Sequence, residues 1–149
     1  MLQVTRSTTI YRPFVEVQAQ FGDVAYHQRR GHHHGVRFRV LDDDSDRCEY
    51  EQETRIGPIR LRQRFRLQRT DPAHQVNELL EGAFAPGSVT FDIASEGDRA
   101  TRVTATLCSE RGGLTRIVAP LLQRPLSRAL AQGLAEDRED LESGNYADD

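Results

Sequence analysis

The sequence predicts an α+β fold, with a curved antiparallel sheet of about six or seven strands wrapped around a long C-terminal helix and short helices after the first strand. Three observations carry this prediction. Side chains alternate as in strands over much of residues 35–107, turn-forming residues separate these segments, and apolar residues after position 114 recur at helical spacing. Because a curved antiparallel sheet must bury its inner face, one long amphipathic helix is a suitable cover.

The composition is that of one soluble domain covering residues 1–149, with an acidic tail expected to be flexible at 143–149. Cys48 and Cys108 are too few for a disulfide scaffold, and no secretory signal or apolar run long enough for a membrane span is recognised. We therefore expect a cytoplasmic protein without integral membrane association. All 20 basic residues are arginine, which excludes Schiff-base chemistry and lysine-dependent phosphate loops.

The elements are predicted in chain order from these patterns. Strands are expected at Thr5 to Tyr11, Gly35 to Leu41, 48–54, 59–67, Val76 to Phe84, Val89 to Ile93 and Thr101 to Leu107. Pro13 to Phe21 and Val24 to Arg30 interrupt the alternation and are expected to form short helices. From Leu114 onward the chain is expected to be helical, with prolines that start or kink helical segments and Gly144 as a stop.

A hairpin with a definite register is predicted around Gly57-Pro58, because glycine supplies the positive φ and proline the fixed negative φ that a two-residue turn requires. Counting outward from Ile56 and Ile59 places an arginine opposite each acidic residue. The expected pairs are Glu53 with Arg62, Glu51 with Arg64 and Glu49 with Arg66. Such pairing specifies register and keeps the outer face soluble. It explains the arginines between residues 55 and 69 better than a nucleic-acid surface, so we expect no nucleic-acid partner.

The opposite face of this hairpin is predicted to point into the core. The expected inward pairs are Tyr50 with Phe65, Thr54 with Leu61, Cys48 with Leu67 and Gln52 with Gln63. The two glutamines either bond to each other or serve as polar groups inside a ligand cavity. If there is a cavity, its expected ligand-binding residues are Phe38, Tyr50, Gln52, Gln63, Phe65 and Phe91.

Four of the five histidines fall between positions 27 and 34. Imidazole is a common metal ligand and titrates near neutral pH, so the segment indicates metal binding, proton transfer or a solvated loop that is rich in histidine. The fifth, His74, follows the turn-forming residues Asp71-Pro72-Ala73 and is expected to be a loop residue.

The element order, together with the phrases Gly87-Ser88-Val89-Thr90-Phe91 and Thr101-Arg102-Val103-Thr104-Ala105-Thr106, resembles the START/Bet v 1-like superfamily, also called SRPBCC. The resemblance spans nearly the whole chain and implies a helix-grip fold around a deep apolar cavity. That superfamily includes lipid carriers, polyketide cyclases and oxygenase domains, so the resemblance leaves the function open.

A local phrase, Gly22-Asp23-Val24-Ala25-Tyr26-His27-Gln28-Arg29-Arg30-Gly31-His32, resembles the iron-binding motif of the catalytic domain of Rieske ring-hydroxylating oxygenases. It keeps the spacing of the two histidines and carries one extra residue before the tyrosine. The resemblance implies His27 and His32 as ligands of iron(II), with a carboxylate from a late helix.

The C-terminal helix supplies a candidate carboxylate. Asp137 falls at the centre of the apolar stripe formed by Leu126, Leu130, Leu134 and Leu141, whereas Glu136, Glu139 and Asp140 are expected to point elsewhere. A carboxylate on a buried stripe requires a metal or arginine partner, unless it lies beyond the sheet and meets water. His33 and His34 are expected to be either spectators beside the site or surface residues.

Two main hypotheses follow. The first is a domain that holds a hydrophobic or aromatic small molecule between sheet and helix, as a carrier, sensor or cyclase-like catalyst. The second is a mononuclear non-haem iron oxygenase-like protein with His27, His32 and Asp137 as metal ligands and an external electron donor as redox partner. Whether any reaction is catalysed is left open. A third role, in protein interaction, would instead require an unpaired arginine surface.

Overall fold

A computed structural model describes residues 1–110 and 114–149, with side chains described for 1–110 and 117–149. The strands are β1 (Leu2–Ile10), β2 (Val36–Asp43), β3 (Arg47–Ile56), β4 (Ile59–Gln68), β5 (His74–Glu81), β6 (Gly87–Ser95) and β7 (Thr101–Ser109). The helices are α1 (Phe14–Gly22), α2 (Val24–Arg30) and α3 (Leu114–Glu142). The predicted element order is confirmed, and most boundaries agree to within about three residues.

The seven strands form one curved antiparallel sheet in the order β1-β7-β6-β5-β4-β3-β2. Each neighbouring pair from β2 to β7 is consecutive in sequence, whereas β1 pairs with β7 at the far edge. Helices α1 and α2 therefore lie in the connection that runs from one edge strand to the other. The predicted α+β class, with short helices after the first strand and a long C-terminal helix, is confirmed.

The hairpin of β3 and β4 has the predicted register, with Ile56 paired to Ile59 and Gln52 to Gln63. Gly57 has the expected positive φ of 59°. The charged face is paired: Arg62 Nε lies 3.2 Å from Glu51, and Arg66 Nε lies 3.2 Å from Glu49. Neighbouring side chains thus share partners diagonally as well as directly across the strands.

Local sequence explains where α2 begins and ends. The Asp23 carboxylate accepts a hydrogen bond from the backbone N–H of Tyr26 at 3.0 Å and caps the first turn. Gly31 ends the helix with a φ of 59°, a left-handed conformation that glycine adopts without strain. The two caps fix the orientation of α2, which carries His27, and direct the following segment back toward α3.

Helix α3 runs across the inner face of the sheet and closes the core. Leu126 packs in a cluster with sheet residues such as Val4 and Phe65, while Leu134 and Leu141 pack with Ile10 near α1. Pro120 and Pro125 lie within this helix, and Gly144 follows its end with a φ of 84°. Among the described residues, no helix is both long and apolar enough to cross a membrane.

Candidate ligand cavity and histidine cluster

A cavity of about 200 Å³ lies between the inner face of the sheet and α3. Its wall is mainly aromatic and aliphatic, with contributions from α1, α2, the central strands and the middle of α3. The exposed side chains of His34 and Arg55 also line it, so the cavity reaches the surface on that side. Its volume is several times the roughly 30 Å³ that one water occupies in the liquid.

All the side chains that the sequence assigned to a ligand pocket line this cavity. They are Phe38, Tyr50, Gln52, Gln63, Phe65 and Phe91. The two glutamines have different surroundings, because Gln52 Nε2 donates to Thr54 Oγ1 at 2.9 Å, while Gln63 is buried in the cavity wall. Tyr50 donates its hydroxyl to Asn77 Oδ1 at 2.7 Å, and burial raises the pKa of Tyr50. The cavity is therefore apolar with a few fixed polar groups.

A cluster of three histidines and one aspartate adjoins this cavity, and His27, His33 and Asp137 also line it. Asp137 Oδ1 lies 3.1 Å from His27 Nε2, 2.8 Å from His32 Nε2 and 3.1 Å from His33 Nε2. The side chains of the three histidines are between 6% and 8% exposed. The structure thus brings together the three predicted metal ligands, His27, His32 and Asp137.

His33 is buried in this cluster and is not the surface residue that the sequence suggested. Its Nδ1 lies 3.0 Å from Glu136 Oε1. Glu136 therefore reaches the cluster, and the prediction that it points away from Asp137 is wrong. The neighbouring His34 ring is 88% exposed, as expected, although its Nδ1 lies 2.9 Å from Glu136 Oε2. The turn after Gly31 brings the His33 ring inward, and helical periodicity contains no information about that turn.

A second set of buried polar groups surrounds the cluster. Gln20 Nε2 donates to Asp137 Oδ1 at 3.0 Å, and the Tyr26 hydroxyl donates to Asp140 Oδ2 at 2.8 Å. Arg30 Nε donates to Asp140 Oδ1 at 3.1 Å. The prediction that Asp140 points away is therefore wrong, because α1 and α2 cover the last turns of α3 and widen the buried arc beyond a single stripe.

The electrostatics of the cluster follow from burial and pairing. Burial alone would raise the pKa of Asp137, but the charge of His33 and hydrogen bonds from the three histidines hold it well below its usual range. Burial opposes protonation of His33, yet Asp137 and Glu136 raise the pKa of His33 to about 9. In the absence of a metal, the cluster is therefore an ion-pair network with Asp137 at its centre.

The tautomer of His27 is fixed by its backbone environment. His27 Nδ1 lies 2.8 Å from the carbonyl oxygen of Asp23, and because a carbonyl only accepts, Nδ1 must carry a proton. His33 Nδ1 faces a carboxylate oxygen in the same way. His32 Nδ1 is buried and has no hydrogen-bond partner among the residues whose side chains are described.

His74 lies outside this site. It is the first residue of β5, and its Nδ1 lies 2.5 Å from Asp92 Oδ1 on the neighbouring strand. Hydrogen bonding to Asp92 raises the pKa of His74. Its role is a surface ion pair at a strand end.

Comparison with solved structures identifies the fold. Protein TTHA0849 from Thermus thermophilus has a TM-score of 0.83 at 18% identity, over 95% of this chain and 98% of that one. The Zhui aromatase/cyclase from Streptomyces sp. R1128 has a TM-score of 0.81 at 13% identity, over 95% and 94%. A START superfamily protein from Mycobacterium smegmatis has a TM-score of 0.67 at 14% identity, over 96% of both chains.

The chain has the START/Bet v 1-like helix-grip fold. No protein-family model and no curated protein sequence matches it, so the fold is recognised from structure. As the helix-grip fold implies, the cavity of this chain lies between the curved sheet and the C-terminal helix. The histidine cluster adjoins that space and is built from α2, the turn after it and α3.

Several buried polar side chains around the cluster were not predicted from the sequence. Gln20, Tyr26 and Asp140 form buried hydrogen bonds around the cluster, and the one available signal was the short helical interruption in which the first two lie. Helices α1 and α2, which follow the first strand, pack against the end of α3. That packing, rather than any motif, buries these polar groups.

Proposed function

We propose that this chain binds a hydrophobic or aromatic small molecule in the cavity between the sheet and α3. The observation that carries the proposal is the cavity itself, about 200 Å³ in volume and lined mainly by apolar side chains with a few fixed polar groups. This combination is typical of small-molecule sites, where apolar surface provides affinity and polar groups provide orientation. The cytoplasm remains the location that we expect.

The aromatic side chains favour a flat or aromatic ligand. Tyr50 and Phe65 stack with their ring centroids 5.3 Å apart, and the Phe38 ring lies 6.1 Å from that of Tyr50. A planar ligand can extend such an arrangement through offset or edge contacts. Gln63 and the Tyr50–Asn77 pair would then orient its polar substituents.

The structural comparisons support this function over the alternative. Two of the similar structures are described as an aromatase/cyclase and a START superfamily protein, which agrees with a cavity that holds an organic molecule. A cyclase-like reaction is compatible with this proposal. A non-haem iron oxygenase with a redox partner gains no support from these comparisons.

Binding of a neutral apolar fluorophore, N-phenyl-1-naphthylamine, tests the proposal. We expect saturable fluorescence enhancement with one site per folded wild-type chain. Ala129→Phe should weaken binding by at least about tenfold, because Ala129 lines the cavity and a benzyl group there occupies its volume. Ala135→Phe is the matched control on the exposed face of the same helix and should bind as the wild type does.

The stability of both variants has to be measured, since overpacking destabilises a core. If Ala129→Phe is not folded, Ala129→Leu is the smaller replacement. Equal weakening by Ala129→Phe and Ala135→Phe, or the absence of saturable binding to the wild type, would show that the cavity does not hold the ligand.

A further inference from the structure

We infer that His27, His32, His33 and Asp137 form a site for one divalent transition-metal ion in the cavity wall. One ligand atom from each residue lies within 4.8 Å of those of the other three. Four ligands of a tetrahedral ion with bonds of about 2.1 Å are separated by about 3.4 Å. The ligand atoms therefore have to rearrange around a bound ion, but all four already face one point in the structure.

The donor set selects the class of ion. Three imidazole nitrogens and one carboxylate oxygen suit borderline ions such as Zn²⁺, Co²⁺ and Fe²⁺, whereas Mg²⁺ and Ca²⁺ favour sites made of oxygen ligands. The ligands come from α2, the turn after it and α3, so they are held by packed structure. His33, in addition to the ligands expected from the sequence, makes this a four-residue site.

Hydrogen bonding prepares two of the histidines for a metal. With its Nδ1 proton donated to the Asp23 carbonyl, a neutral His27 has an unprotonated Nε2, and that atom faces Asp137 Oδ1 at 3.1 Å. His33 has the same arrangement, with Nδ1 against Glu136 and Nε2 against Asp137. In metal sites the second ring nitrogen of a ligating histidine donates to a carbonyl or carboxylate in just this way.

In the metal-free cluster, hydrogen bonds and charge pairing join the three rings to Asp137, and a divalent ion can take the place of the protons between them. Protons can supply positive charge to the cluster only by charging neighbouring rings. The His32 and His33 ring centroids are 4.4 Å apart, so two such charges would lie close together. One divalent ion satisfies all four ligand atoms at a single point. Asp137, together with Glu136 behind His33, balances its two positive charges.

The inference goes beyond the proposed function, because an ion can bind whether or not the cavity holds an organic ligand. It also requires no reaction with oxygen. The two proposals can fail separately: the fluorophore experiment is performed on metal-free protein, and the metal experiment is performed without an organic ligand.

Metal titration of the wild-type chain is the first test. Protein freed of metal with EDTA and then dialysed is titrated calorimetrically with ZnCl₂, with MgCl₂ in a parallel titration. We expect one Zn²⁺ per chain, a raised thermal midpoint through preferential binding to the folded state, and no comparable step with Mg²⁺. A wild-type chain that lacks the Zn²⁺ step, or that binds both ions alike, overturns the inference.

Matched variants locate the site. His33→Gln should lower the affinity for Zn²⁺ by at least about tenfold, while His34→Gln, which changes the exposed neighbour, should leave it within about twofold. Asp137→Asn should act like His33→Gln, with Asp140→Asn as the control for loss of a buried carboxylate on the same helix. Circular dichroism checks that each variant is folded. If the aspartate variants are unfolded, the comparison of His33→Gln with His34→Gln tests the site. Equal affinities of His33→Gln and His34→Gln would contradict the assignment.

Discussion

His27 Nε2 lies 3.1 Å from Asp137 Oδ1, although the two residues are 110 positions apart in the chain. The contact joins α2, which is inserted after the first strand, to the final turns of α3. Both helices also form part of the cavity wall. A change at the cluster should therefore affect the fold as well as the surface that a ligand meets.

Asp137→Asn should destabilise the metal-free protein by about 3 kcal/mol, because removing one partner of a buried charged network leaves the others uncompensated. Urea unfolding monitored by circular dichroism measures the difference. Glu139→Gln, on an exposed position of the same helix, is the control and should change stability by no more than about 0.5 kcal/mol. Equal effects of the two substitutions would show that the network does not stabilise the fold.

The difference between wild type and Asp137→Asn should depend on pH. The folded-state pKa of Asp137 is well below its ordinary value, so its stabilising effect is fully present above the unfolded pKa of about 3.9. It is lost as pH falls through the folded pKa. Unfolding curves of both proteins from pH 6 downward should converge under acidic conditions, and a gap that widens in acid would contradict the pairing.

The sheet could be predicted from the sequence because strand register has only a few local determinants. The Gly57-Pro58 turn and alternation on both sides of it fix every pair from Ile56–Ile59 outward. The position of Asp137 could also be predicted, since a carboxylate in the centre of a leucine stripe is buried wherever that stripe packs.

The rest of the site could not be predicted, because it depends on how separate elements meet. His33 points inward owing to the turn between Gly31 and Gly35, both of which have positive φ, and a count of histidines does not reveal that path. Asp140 is buried because α1 and α2 pack over the end of α3. Periodicity describes one face of a helix and cannot show that a second face is covered.

Tyr50→Phe should destabilise the protein by about 1 to 2 kcal/mol, because it leaves the Asn77 amide oxygen without the hydroxyl that donates to it at 2.7 Å. Tyr11→Phe, at a ring that is 62% exposed, provides the control and should be nearly neutral. If Tyr50→Phe is as stable as the wild type, water entering the cavity satisfies Asn77, and the polar pair is not a fixed feature of the wall.

The charged ladder on β3 and β4 should make a small contribution that salt screens. Glu51→Arg replaces the partner of Arg39 and Arg62 with a like charge and should lower stability by about 1 kcal/mol at low ionic strength. At about 1 M NaCl most of that difference should disappear. A loss of stability that is unchanged by salt would mean that Glu51 acts through packing and not through charge.

The cavity and the histidine cluster meet at His27, His33 and Asp137, which belong to both. An aromatic molecule that carries oxygen donors should therefore contact a bound ion, and benzohydroxamate is a suitable probe. Its addition should change the visible absorption of the Co²⁺-loaded protein and displace N-phenyl-1-naphthylamine. Toluene, which lacks donors, should displace the fluorophore with little change in the Co²⁺ spectrum. Fluorophore displacement by benzohydroxamate without any spectral change would place the ion out of reach of the ligand.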